Sequence, residues 1–272
     1  MRHQEFEPPE ELRDSIRCFW HNTRDLGGEE SQFEVLPDGY AEIIFLLGSP
    51  CSVVSAGVLR PLPSPFLMGL LNQPVVFSAK HRLEILGVRC FPWAVLDLLG
   101  LPSGGSGVRT FEHPIAALQP GLRQHVLAGR VDEALFLMKQ YFLTLRSNIA
   151  MDTLLFRAGA AMRQAHGALP VSRVAAAAHA TVRTLERKFK QSSGHTVKDV
   201  AGVMRFEQVR NRLWLQPDSD LAVLALEWGY TDQSHLSREF KRYSGTTPAV
   251  FARSARQEKL TVDGDFVAFV QA

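Results

Sequence analysis

Two short runs of this chain carry side chains suited to reading the edges of base pairs. In VRTLERKFKQ (residues 182–191), Leu185 and Phe189 stand one helical turn apart, which leaves Arg183, Glu186, Arg187 and Lys190 on the outward side. In QSHLSREFKRY (residues 233–243), Leu236 and Phe240 repeat the inward pair, and Gln233, Ser234, Ser237, Arg238 and Lys241 face out. Arg on guanine and Gln on adenine are the pairings that the major groove favours. The chemistry these residues predict is recognition of double-stranded DNA.

Positioning such side chains requires a helix preceded by a tight turn and a supporting helix, and the chain spells that layout twice. Leu236, Arg238, Phe240, Lys241, Gly245 and Thr247, moved back by 51 positions, fall on Leu185, Arg187, Phe189, Lys190, Gly194 and Thr196. A supersecondary unit repeated at a fixed offset is a strong architectural signal. We read helix-turn-helix units at 171–191 and 221–243, with Thr181 and Asp232 as the caps that open the second helix of each. Between them, Val197 to Leu215 reads as one long helix with Val200, Val203, Met204, Val209 and Leu213 on or near one face. Such a rod holds two reading heads at a fixed separation, which must be roughly one DNA turn, ~34 Å, for both to read one face of the duplex.

Charge follows the same division. Residues 1–164 carry a net −2, residues 165–256 a net +6 and the remainder a net −2, so affinity for polyanions is concentrated in the repeat region. Cys18, Cys51 and Cys90 are odd in number and form no Cys-x-x-Cys pair, which speaks against a disulfide framework or a zinc site and leaves small buried thiols as the simpler reading over a redox sensor. His21, His81 and His113 are scattered; we expect no metal, no cofactor and no catalytic residue. With no apolar signal core and no window near the length of a membrane span, the expected location is the cytoplasm.

The N-terminal half differs in texture. Phe33 to Leu47 reads as two strands around a Pro37-Asp38-Gly39 turn, and short apolar runs follow at Val53–Leu59, Phe66–Leu71, Val75–Ala79 and Leu83–Val88. Helical patterns begin at Pro92, after which comes a Gly/Ser-rich loop, Ser103 to Gly107. Val131 to Leu145 is amphipathic, with a face to be buried on the barrel or on a second subunit; a homodimer built there is one expectation.

The fold class is therefore α+β in two domains: a β-barrel-like N-terminal domain with helices, and an all-α double helix-turn-helix domain. We divide the chain into a sensor or dimerisation domain (1–150), a helical linker (151–167), the DNA-binding domain (168–256) and a tail (257–272) whose Leu260–Ala272 alternates like a strand. A barrel interior can enclose a small molecule, and Trp20, Tyr40, Arg89 and Trp93 are the first candidates to line it. The competing readings are a domain for dimerisation or protein contact alone, or an enzyme fused to a DNA-binding module.

Ala225, Gly229, Tyr230, Asp232, Gln233, Ser234, Leu236, Ser237, Arg238, Phe240, Lys241, Gly245, Thr247, Pro248 and Phe251 resemble the C-terminal signature of AraC/XylS-type bacterial transcription regulators. The resemblance covers about residues 165–255. It implies a seven-helix DNA-binding domain, with base-reading positions at Arg183, Glu186 and Arg187 and at Gln233, Ser234, Ser237 and Arg238. It also implies a cupin-like effector or dimerisation domain, similar around Pro37–Phe45 and Leu86–Pro92, and RNA polymerase as a partner if the protein activates. His179 stands in the first turn where the family often has Gly; His tolerates a left-handed conformation better than most residues.

Overall fold

The computed structural model describes residues 2–101, 107–147 and 152–259. The tail Leu260–Ala272 and most of the Ser103–Gly107 loop lie outside the described residues.

The N-terminal region holds ten strands: β1 (Arg2–Phe6), β2 (Ile16–Asp25), β3 (Ser31–Val35), β4 (Ala41–Leu46), β5 (Cys51–Ser55), β6 (Val58–Pro61), β7 (Phe66–Met68), β8 (Val75–Ala79), β9 (Arg82–Cys90) and β10 (Val108–Arg109). They form two antiparallel sheets, in the orders β1-β2-β9-β4-β7-β10 and β3-β8-β5-β6. One face of the larger sheet, with Trp20, Ile44 and Ile85, packs on Phe33, Phe77 and Cys51 of the smaller. The other, with Phe19, Leu86 and Val88, is covered by α1 (Val95–Leu98), α2 (Gln119–Leu127) and α3 (Val131–Ser147). Covered on both sides, β4 reads as an unbroken apolar run apart from Glu42, and all six of its residues are buried.

Two expectations take a definite form here. The sheets face each other without closing into a barrel, because the Pro37-Asp38-Gly39 turn carries the chain from one sheet to the other instead of pairing β3 with β4. The apolar face of α3 is also used within the chain: Ala134, Leu135, Met138 and Phe142 are buried against the larger sheet, so they offer nothing to a second subunit.

Seven helices follow one another in the C-terminal region: α4 (Thr153–Gln164), α5 (Val171–Ala177), α6 (Val182–Ser193), α7 (Val197–Leu215), α8 (Leu221–Glu227), α9 (Gln233–Ser244) and α10 (Pro248–Lys259). The segment expected as a linker contributes α4, capped by Asp152, whose Leu155, Ala158 and Met162 sit in one core with α5, α6 and α7. That core does not stop at the domain boundary. Phe91 and Trp93, just after β9, stack at 5.2 Å with 4° between their planes, and Trp93 meets Phe189 of α6 at 5.9 Å. Gly159 of α4 makes room for the indole; a Cβ there would come within 2.3 Å of it.

Candidate nucleic-acid interface

Each reading head is a short helix, a left-handed turn and a capped second helix. In the first, α5 ends at Ala178, His179 takes φ +53°, and Ala180 N–H donates to the Ala175 carbonyl at 2.9 Å. In the second, Gly229 takes φ +73° and Tyr230 N–H donates to Ala225 at 2.8 Å. His179 thus holds the conformation that its glycine counterpart adopts without strain. These turn residues correspond at an offset of 50, one less than in the helices that follow. The second turn therefore contains one residue more before its cap.

Thr181 accepts from Thr184 N–H at 3.1 Å and Asp232 from His235 N–H at 2.7 Å, which starts α6 and α9 at equivalent places. At their other ends the two helices match bond for bond. Ser193 and Ser244 donate to the carbonyls of Phe189 (2.7 Å) and Phe240 (2.8 Å), and Gly194 and Gly245 close the helices in left-handed conformations. Thr196 and Thr247 then accept from Asp199 and Val250 to open the next helix.

The inward pairs are fully enclosed. Leu185 and Phe189 pack into the core shared with Trp93, and Leu236 and Phe240 pack on α7, where Phe240 meets Phe206 at 5.0 Å. Their opposite faces leave Arg183, Arg187 and Lys190 exposed on α6, and Gln233, Ser234, Arg238 and Lys241 exposed on α9, with Ser237 half-buried. Glu186 departs from this group: its carboxylate accepts from Val197 N–H at 3.2 Å and so braces the start of α7.

The rod between the heads is fixed at two places along its length. Arg205, midway along α7, pairs with Glu239 of α9 at 3.0 Å and donates to the Gly167 carbonyl at 3.0 Å. Five residues on, Arg210 is 2 % exposed and donates to the Pro37 carbonyl at 3.0 Å, while Glu207 accepts from Gly39 N–H at 3.4 Å. The Pro-Asp-Gly turn is therefore a docking knob for the DNA-binding region. Sequence reading assigned neither residue a role. The signal was there: Arg210 stands on the stripe of Val203, Phe206 and Leu213, where periodicity calls for an apolar side chain.

The four candidate effector residues do not converge on a cavity. Arg89 is engaged by Glu42 (2.7 Å), Asp38 (3.5 Å) and Glu5 (3.4 Å) and lies over the Tyr40 ring. Burial pushes the Glu42 carboxyl up to about 7 and the Tyr40 hydroxyl to about 12. Trp20 lies flat on Gly87, where a Cβ would come within 2.1 Å of the indole, and Trp93 is filler between the domains. Trp93 alone of the four edges a pocket, of about 60 Å³, and wider clefts lie elsewhere, of about 680 Å³ beside β3 and α10 and about 580 Å³ beside α4.

The three thiols are buried, and burial raises Cys18 and Cys51 to about 12, which keeps them protonated and unreactive. Among the described residues, no cluster of His, Cys, Asp and Glu could hold a metal ion, and no helix is long and apolar enough to cross a membrane.

Residues 174–254 match the family described as a helix-turn-helix domain, across both heads and the rod. The C-terminal region is an AraC-type helix-turn-helix domain. Residues 4–105 match a second family, described as a domain of unknown function (DUF6597). No curated protein matches the chain.

Among solved structures, a 1.65 Å structure of ToxT from Vibrio cholerae is 12 % identical, with 86 % of this chain and 98 % of that one covered and a TM-score of 0.47. ToxT from strain SCE256 with an unsaturated fatty acid bound is 12 % identical over 93 % of this chain and 97 % of that one, with a TM-score of 0.48. The DNA-binding domain of AdpA in complex with a target DNA is 23 % identical over 41 % of this chain and all (100 %) of that domain, with a TM-score of 0.37. The family match supports a DNA-binding regulator with an AraC-type helix-turn-helix domain.

Proposed function

We propose that the protein is a sequence-specific transcription regulator in which α6 and α9 enter successive major grooves on one face of the duplex. The observation that carries this reading is the duplication itself. Two helices with matched caps, matched Ser-Phe brackets and matched left-handed ends each leave a cationic face exposed. Arg183, Arg187 and Lys190 serve the first half-site, and Gln233, Ser234, Ser237, Arg238 and Lys241 the second; Glu186 braces α7 instead of reading bases. Phosphate neutralisation supplies most of the affinity, which therefore falls steeply with salt, while base edges supply the specificity.

Selection of binding sites from a randomised pool tests the assignment. Arg187→Ala and Arg238→Ala should each cost about 1–3 kcal/mol and relax base preference at a different half-site. Unchanged preferences in both variants would sink it.

We further propose that a small molecule acting through the N-terminal domain controls DNA binding, with RNA polymerase as the partner if control is by activation. The second reading, a domain for assembly, rests on apolar side chains that α2 and α3 turn outward: Leu127 is 53 % exposed and Phe136 60 %. A homodimer formed there would be broken by Phe136→Glu, as read by sedimentation, whereas a monomer at all concentrations removes this reading.

A further inference from the structure

We propose that the cleft between the 3-10 turn at Glu10–Leu12, the end of α3 and the outer side of α4 binds a small organic carboxylate with an apolar body. Arg163 takes the carboxylate and Phe156 the body. The proposal rests on the reading that a small molecule controls the protein, and gives it a place and a chemical class. At about 580 Å³, the cleft falls within the ~300–1,000 Å³ of small-molecule sites.

Charge selects the class. Of the cations lining the cleft, Arg146 is paired with Asp14 at 2.7 Å, and Arg13 stands at the exposed rim within 4.0 Å of Glu7. Arg163 forms no ion pair among the described residues; it is half-buried and lines the cleft, with its Nη1 enclosed behind it and without a hydrogen-bond partner. Its guanidinium lies 4.1 Å from the Phe91 ring centroid and 5.7 Å from that of Trp93, so one face is stacked on aromatic carbon instead of being hydrated. Burial pulls its pKa down and outweighs the opposing pull of Tyr40 and of Asp14, whose carboxylate is already committed to Arg146; an arriving anion would act in the same sense as Asp14. A planar, weakly hydrated fork of N–H donors is the natural partner of a carboxylate. Glu10 and Glu11, the acids of the rim, are exposed and hydrated, so they oppose a small anion only weakly. Phe156, 38 % exposed beside this cation, supplies apolar surface.

Occupancy would be felt in the first reading head. From Arg163 the stack runs through Phe91 and Trp93 to Phe189, the inward residue of α6. A ligand that fixes the guanidinium fixes the ring on which Trp93 rests, and Trp93 is what α6 leans on.

The test uses the full chain with benzoate, its neutral counterpart benzamide and inorganic phosphate, read by melting temperature and tryptophan fluorescence. Saturable binding of benzoate alone is expected, weakened about tenfold or more by Arg163→Gln. Phe156→Glu, which places a carboxylate at an exposed position outside the core, should weaken it as well and keeps the test decisive if Arg163→Gln does not fold. Equal binding of benzamide or phosphate, unchanged binding in either folded variant, or no saturation by about 10 mM overturns the proposal. Arg163-dependent benzoate binding that leaves DNA affinity unchanged supports the site and removes the control reading. A metabolite that shifts DNA affinity equally in wild type and Arg163→Gln, with no response to benzoate, does the reverse.

Discussion

Both heads belong to one core, but the first, α5 and α6, meets Trp93 of the N-terminal region directly through Phe189, whereas the second, α8 and α9, packs on α7 and faces β3 and β8 across a cleft of about 680 Å³. Inside the heads, the helix starts, ends and serine brackets coincide. The difference lies in what each leans on: an aromatic stack from the other domain in one case, the rod α7 in the other. Sequence duplication thus produced two equal readers and one unequal mounting. The N-terminal region meets the first head by direct packing and is tied to the rod α7 through Pro37 and Gly39.

Removing Trp93 should separate the two most sharply. Trp93→Ala is expected to cost about 3–5 kcal/mol, as large-to-small changes of aromatic core residues do. Hydrogen exchange should speed up in α6 and leave α9 near its wild-type protection; equal loosening of both would mean that the mounting is not asymmetric.

The turns come next. Gly229→Ala places a Cβ at positive φ, 3.2 Å from the Ala168 side chain, and should destabilise by more than about 1 kcal/mol. His179→Gly relieves a strained φ and should shift the melting temperature little, the relief being offset by added freedom in the unfolded chain. Ser193→Ala and Ser244→Ala should each cost about 1 kcal/mol, and their equality in denaturant melts is the measure of how far the heads are true copies.

A prediction read by pH concerns Glu42, which together with Asp38 of the docking knob holds Arg89. Because burial holds the Glu42 carboxyl near 7 against 4.5 unperturbed, the folded state binds its proton more tightly than the unfolded chain. Its contribution to stability is then full below about 4.5 and declines as pH rises toward 7. Glu42→Gln should gain on wild type across that window, as read by melting at successive pH values.

The sequence made the reading heads legible because local physics decides them: caps, left-handed turns and an i, i+4 apolar pair act within a dozen residues. His179 was visible as a departure, and its φ of +53° is what a turn needing a left-handed residue requires. The sheets were legible as strands but not as a topology. Nothing local in Pro37-Asp38-Gly39 distinguishes a hairpin from a crossing between sheets, and the outcome depends on partners far along the chain. Trp93 was ambiguous for a related reason, since it packs on Phe189 and also edges a pocket of about 60 Å³. An aromatic near a strand end looks alike whether it lines a cavity or fills one, and Phe189, 96 positions away in sequence, decides which.

The stack from Phe91 to Phe189 also bears on how the molecule can be divided. A fragment beginning at residue 168 would carry both heads yet lose the indole that covers Phe189 and the turn that accepts from Arg210. It would present bare aromatic carbon beside one reader and, in the rod, a guanidinium that has lost its Pro37 acceptor. Truncation would therefore report on DNA binding by a surface that the intact chain never exposes.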